Sequence, residues 1–234
     1  MAWAAIWDAT GDRLIETGTK QGMLYPMKAD GTSYDDGVAW NGLTSVSESP
    51  DGADANDLWA DNIKYASLRA AETFGGPIEA YTYPDEWAEC DGSKVLGTGV
   101  SFGQQPRKSF GLCYSTEQGN DLDSNIDDGE KIHLVYNCTA SPSERSYESI
   151  NDSPDAITFS WEYTSNPVAF TDAGAIAAGL KPVSCIIIDT KKFGSADEAK
   201  LTTLKSKLYG AADSAPTLPT PDQMYTWATT GQFS

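Results

Sequence analysis

Hydrophobic and polar positions alternate with a period of two over several separated stretches of this chain, the pattern of strands with one face turned to a core. In Ile78–Tyr83, Ile78, Ala80 and Thr82 fall on one face and Glu79, Tyr81 and Tyr83 on the other. Residues 156–163 put Ile157, Phe159, Trp161 and Tyr163 on a common face. Residues 108–116 and 131–138 read as two strands of a long hairpin whose tip is the polar stretch 117–130, and Ile63–Leu68 reads as a further strand. Past residue 180 the period changes. Val183–Asp189 is a mostly apolar strand, and Ser195-Ala196-Asp197-Glu198 opens a helix with Leu201, Leu204 and Leu208 as its apolar stripe and Gly210 as its C-cap. A short helix is expected at Pro84–Glu89, where proline and acids occupy the first turn. The proline spacing from residue 215 onward predicts an extended C-terminal segment over 211–234.

Between these elements the turn signals are strong. Asp36-Gly37 and Asn41-Gly42 favour tight turns because Asn and Gly tolerate positive φ. Residues 47–62 form a polar stretch of about 16 residues with no regular pattern, and structureless loops of that length are usually functional or disordered. Leu58 and Trp59 give it an apolar anchor, so an ordered contact loop is expected there.

Composition narrows the function classes. The chain holds 234 residues, 40% of them hydrophobic, with 7 Trp, 11 Tyr and 7 Phe, enough for a sizeable core. Its 34 acids against 16 bases give a formal net charge of -18. Residues 1–180 carry 29 acids and 10 bases, whereas residues 181–234 carry 5 and 6. Such a body does not grip nucleic acid by neutralising phosphates, which needs clustered Lys and Arg. Arg107-Lys108 is the nearest approach to a basic patch in the acidic part, and Lys191-Lys192, Lys200, Lys205 and Lys207 make the end of the chain locally basic. No apolar run approaches the length needed to cross a bilayer, Cys185-Ile186-Ile187-Ile188 being only four residues, so no membrane insertion is expected. The opening stretch MAWAAIWDATGDR lacks a basic leader and is interrupted by Asp8 and Asp12, so no export signal is expected. The four cysteines, Cys90, Cys113, Cys138 and Cys185, match no zinc or redox spacing and are expected as reduced thiols.

The candidate chemistry is sparse. Asp121, Asp123, Asn125 and Asp127 fall at alternate positions, like the oxygen ligands of a calcium loop, but Ile126 stands where the turn glycine is needed and Ile132 where the bidentate Glu is needed. Asp121, Asp123, Asp127 and Asp128 are therefore read as a solvated acidic hairpin tip. His133 is the only histidine, and strand alternation points it with Lys131 and Val135, away from Ile132, Leu134 and Tyr136. It cannot build a multi-histidine metal cluster, and no nucleophile element accompanies it. No nucleotide motif is present. No catalytic residue, cofactor or metal is expected. Carboxylates beside aromatics, as in Tyr81–Trp87 and Trp161-Glu162-Tyr163, permit a second reading, a carbohydrate-binding β-sandwich module or a glycoside-active enzyme using paired carboxylates.

Several stretches together resemble a known family. Trp59-Ala60-Asp61-Asn62-Ile63-Lys64-Tyr65, Ala71-Glu72-Thr73-Phe74-Gly75-Gly76 and Ile78–Trp87 come first. The stretches at 102–121 and 132–168 and the closing strand, helix and proline segment follow. In this order, over about residues 20–225, they resemble the major tail proteins of bacteriophages with long, flexible, non-contractile tails. The resemblance rests on the ensemble, since each stretch alone is a packing or turn sequence.

The resemblance implies a single tail tube domain over 1–234, mainly β with a flanking helix, a β-sandwich or barrel-like fold. Six subunits would close a ring whose inner strands form a continuous barrel around a lumen, and rings would stack into a tube. The loop at 41–62, with Trp40, Leu43, Leu58 and Trp59 as contact residues, is the expected reach to the adjacent ring. Lys200, Lys205 and Lys207 are the expected basic contact to an acidic neighbour. Implied partners are further copies of the chain, a tape-measure protein in the lumen, tail terminator and distal tail or baseplate proteins, and genomic DNA in transient passage. The implied location is the virion tail, assembled in the host bacterial cytoplasm. The acidic balance suits a conduit wall, which should repel phosphate so that DNA does not pause.

Overall fold

Two strands at the middle of the chain are covered on both faces, and the rest of the fold is arranged around them. Phe110–Gly119 and Gly129–Ala140 are buried at nearly every position, as strands sandwiched between two layers must be. The computed structural model of the chain describes residues 7, 9–11, 13–52, 55–69, 72–121, 129–147, 149 and 156–233. In order, the elements are β1 (Ile15–Pro26), β2 (Val38–Ala39), β3 (Leu43–Val46), β4 (Ala55–Ala60), β5 (Ile63–Arg69), β6 (Phe74–Ala80), α1 (Trp87–Cys90), β7 (Lys94–Val95) and β8 (Ser101–Phe102). Then come β9 (Phe110–Gly119), β10 (Gly129–Ala140), β11 (Phe159–Ser165), α2 (Ala173–Ala177), β12 (Cys185–Asp189), α3 (Glu198–Tyr209) and α4 (Pro221–Thr230).

The main sheet is antiparallel, in the order β2-β1-β9-β10-β11-β6-β3, with β12 also paired to β10. Its first and last members, β2 and β3, belong to one stretch of chain. Val38 and Ala39 pair with β1, and three residues later Leu43–Val46 pairs with β6. The sheet therefore curls until its two ends are held by a single segment. It does not become a closed barrel, because that segment changes partner at Trp40–Gly42 instead of carrying one continuous ladder. The expected mainly β class with a flanking helix is what the chain adopts.

One face of the curled sheet holds an aromatic core. Trp40, Trp87, Phe110, Trp161 and Tyr163 are almost wholly buried there with Ile78, Leu112 and Val135. Trp87 lies 4.6 Å from Trp40, 4.9 Å from Phe110 and 5.3 Å from Trp161 between ring centroids, in tilted or edge-on arrangements that suit aromatic quadrupoles. Ile78 and Ala80 thus settle the inward face of the Ile78–Tyr83 stretch. Ile157, which precedes β11, is exposed and takes no part in that strand's inner face. The opposite face of β1, β9 and β10 packs Tyr25, Cys113, Ile132, Leu134 and Tyr136 against Leu204 and Leu208 of α3 and Met224 and Trp227 of α4. A bulge at Asn137, whose φ is 48°, reverses the phase of β10. Before it the even-numbered Ile132, Leu134 and Tyr136 face the helices; after it Cys138 and Ala140 face the aromatics.

The expectation of an extended segment over 211–234 is corrected at α4. Pro221 stands in the first turn, where its missing N–H costs nothing, and the Thr220 hydroxyl and Gln223 amide cap each other's backbone. Gly231, at φ 80°, closes the helix in the left-handed conformation. Proline here starts a helix. The expected short helix at Pro84–Glu89 forms later, at Trp87–Cys90.

Candidate functional site

Residues 47–52 and 55–62 form half of an arm. Ser47 N–H donates to the Pro77 carbonyl at 2.9 Å and Ser49 N–H to Gly75 at 2.7 Å, and Asp51 and Thr73 exchange both backbone bonds. This ladder clamps the root, and the close approach depends on glycine: a Cβ on Gly76 would lie 2.1 Å from the Ser47 carbonyl oxygen. Beyond the root, β4 and β5 pair with each other as a separate two-stranded sheet. Asp61 and Asn62, at φ 51° and 61°, make the two-residue turn that joins them, the I′ geometry that suits strand twist. Instead of an irregular loop, the structure has a hairpin, and a six-residue strand gives it a reach of roughly 20 Å.

The arm is exposed throughout β4, and its apolar side chains have no core. Leu58, Ala66 and Leu68 share one face; Asp57, Trp59, Lys64 and Ser67 share the other. Trp59 is 67% exposed, Ile63 63% and Tyr65 75%. Lys64 pairs with Asp57 at 2.8 Å, and with the Ser67 hydroxyl it holds that carboxyl below its ordinary value. An isolated two-stranded hairpin is marginal in water, and exposed apolar clusters of this kind mark interaction surfaces.

The expected contact residues divide. Leu58 and Trp59 lie on the arm. Trp40 does not: it is 3% exposed, and its indole Nε1–H donates to the Thr82 carbonyl at 3.0 Å, so the expectation of an intersubunit role is corrected. An aromatic beside a turn carries no local signal of burial, and only the sheet's curling places it against the Trp87 and Trp161 rings. Leu43 is half-buried against the same core. Asp121 accepts the Gly11 N–H at 2.8 Å and faces Arg13 at 3.4 Å. Asp123, Asp127 and Asp128 lie outside the described residues. Lys200 and Lys205 are engaged within the chain: Lys200 donates to Ala228 O and sits over the Trp227 ring at 5.1 Å, and Lys205 pairs with Glu130. Lys207 lies half-buried in the last turn of α3.

At the arm's root a polar cluster was invisible in the sequence except for the facing of His133. Glu48 Oε1 lies 2.9 Å from His133 Nδ1, 2.7 Å from the Tyr114 hydroxyl and 3.5 Å from Cys185 Sγ. Burial pushes the Glu48 carboxyl up, but the bonds from His133 and Tyr114 outweigh it and hold it below the usual range. Burial, and the Glu48 charge next to it, push Tyr114 and Cys185 upward. All four cysteines are free thiols, as expected, and burial pushes Cys90 and Cys113 up to about 12.

A cleft of about 1060 Å³ opens beside β1, lined by Asp35, Asp36, Asp85, Glu86 and Glu89 among others. Lys108 bridges it, 3.0 Å from Asp35 and 3.4 Å from Glu89. Of the aromatics that permitted a carbohydrate reading, Trp87, Trp161 and Tyr163 are in the core and Tyr83 is half-buried, while Tyr81 is exposed. No helix among the described residues is long and apolar enough to cross a membrane. Neither a protein-family model nor a curated protein matches the chain.

Proposed function

We propose that the chain is the structural subunit of a phage tail tube: six copies close a ring, rings stack, and the acidic tube conducts DNA to the host. The observation that carries this reading is the apolar arm β4–β5, clamped at its root and uncovered along its length. A second copy is the occupant this arm suits, because a monomer would keep five large apolar side chains in water without return. The sheet supports the reading in a second way. The outer edge of β12 offers backbone groups for pairing with a neighbour, and edges of this kind are closed in assemblies.

The remaining parts follow from the ring. A tape-measure protein would occupy the lumen during assembly, terminator and distal tail proteins would cap the two ends, and DNA would pass a wall that repels its phosphates. The virion tail is then the protein's location, after assembly in the host cytoplasm. Repulsion among copies carrying -18 each must be outweighed by apolar burial and edge pairing. Assembly should therefore strengthen with added salt, which screens exposed charge.

The test is sedimentation of purified protein across a concentration and salt series. Rings or polymers that grow with both support the reading. A species that stays monomeric at every concentration overturns it. The acidic cleft beside Lys108 favours a second reading, glycan binding or cleavage; a glycan array that lights up on a persistent monomer would select it.

A further inference from the structure

The cluster at the arm's root is overcommitted as a set of hydrogen bonds. Glu48 Oε1 is the single acceptor for Tyr114, His133 and Cys185, three donors on an oxygen with two lone pairs. His133 is 7% exposed, and its Nε2 is buried with no hydrogen-bond partner, facing Glu16 Oε1 at 3.9 Å. Both neutral forms of the ring are frustrated. With the proton on Nδ1, the Nε2 lone pair points at the Glu16 carboxylate. With the proton on Nε2, the Nδ1 lone pair points at Glu48.

We propose that Glu48, His133 and Cys185 bind one zinc-type divalent transition-metal ion, with water as the fourth ligand. The ion takes Nδ1, so the ring proton sits on Nε2 and faces Glu16, the carboxylate–histidine–metal arrangement that fixes a ligand's tautomer. Glu48 Oε1 then serves the metal and Tyr114 alone. Cys185 loses its thiol proton to bulk water as the metal–sulfur bond forms, so the step balances without a redox partner.

The spacing fits. The three ligand atoms lie within 4.8 Å of one another. Tetrahedral zinc bonds of about 2.0–2.3 Å place oxygen and sulfur about 3.5 Å apart and oxygen and nitrogen about 3.3 Å apart. Glu48 Oε1 and Cys185 Sγ are already at 3.5 Å, and His133 Nδ1 must retreat only slightly from 2.9 Å. The mixed nitrogen, sulfur and oxygen set selects zinc or cobalt over magnesium or calcium, which take oxygen. Each ligand is held by a different support. His133 stacks on Tyr114 at 4.7 Å with the rings 9° from parallel, Cys185 lies opposite Val135 on β12, and the Ser47–Ser49 ladder carries Glu48. Glu16 is itself fixed by Lys131 and by the Thr116 hydroxyl at 2.6 Å.

The experiment titrates metal-stripped full-length protein, under reducing conditions, with cobalt(II) and then zinc(II). The expected result is one cobalt per chain with a sulfur-to-cobalt charge-transfer band that zinc displaces. Cys185→Ser keeps a hydroxyl near Glu48 and should abolish the band, with its metal-free melting temperature reporting that it folds. Glu16→Gln should keep the band and weaken binding by ~10–100-fold. Nitrogen NMR of His133 gives a readout on the wild-type chain alone: zinc should leave a proton on Nε2 and none on Nδ1. A proton found on Nδ1 in excess zinc, or a band unchanged in folded Cys185→Ser, overturns the site. These outcomes do not depend on whether the chain forms a tube.

Discussion

Replacing Trp59 by alanine should separate assembly from folding. A tryptophan presents ~150–250 Å² for burial, and this one is 67% exposed, leaving roughly 100–170 Å² for a neighbour to cover. At ~25 cal/mol per Å², that area corresponds to about 2.5–4 kcal/mol for each arm that docks. Each contact should weaken by roughly 70- to 900-fold. Because every subunit repeats the loss, the critical concentration for polymerisation should rise by at least the single-contact factor. The monomer should hardly notice, since Trp59 is absent from both cores. The assay pairs light scattering against protein concentration with thermal melting of the unassembled chain. An unchanged critical concentration with an unchanged melt would refute the arm's role. A large drop in melting temperature would show that Trp59 stabilises the monomer, contrary to its exposure.

Three further outcomes test the architecture. Gly76→Ala drives a Cβ to 2.1 Å from the Ser47 carbonyl and should destabilise the arm's root by about 1–3 kcal/mol, read as faster amide exchange at Ser47 and Ser49. Thr220→Ala removes half of the capping box of α4 and should cost about 1 kcal/mol in denaturant unfolding; no loss would contradict the helix start. Asp222 is pushed up by burial, yet bonds from Thr171 and from the Asp172 N–H hold its carboxyl below the ordinary 3.8. Its contribution is therefore full above that unfolded value, begins to fade below it, and is lost as pH falls through the lower folded-state value. The stability gap between wild type and Asp222→Asn should be full at about pH 6 and shrink at about pH 3; a gap independent of pH would show another cause.

Elements with a local period were legible in the sequence. β11 alternates because only one of its faces meets the core, β9 and β10 read as strands flanking a polar tip, and α3 shows Leu204 and Leu208 one turn apart because one stripe meets the sheet. The arm was not legible as a hairpin. β4 is exposed on both faces, so Ala55–Ala60 carries no alternation, and its turn is made by Asp61 and Asn62 without glycine. α4 was hidden by its own start signal, since prolines at 216, 219 and 221 read as extended chain until Thr220 and Gln223 are seen to cap one another. The bulge at Asn137 cannot be found from a period it interrupts. Glu48, His133 and Cys185 come from three distant segments that the curled sheet brings together, and only the facing of His133 was available beforehand.

Electron microscopy of the purified protein at assembly-competent concentration and salt decides whether the chain builds a tube. Sixfold rings stacked into tubes are expected, with β4–β5 of each ring lying against the next and β12 paired at the subunit boundary. Fields of single particles, or polymers in which the arm remains in solvent, would contradict that assembly.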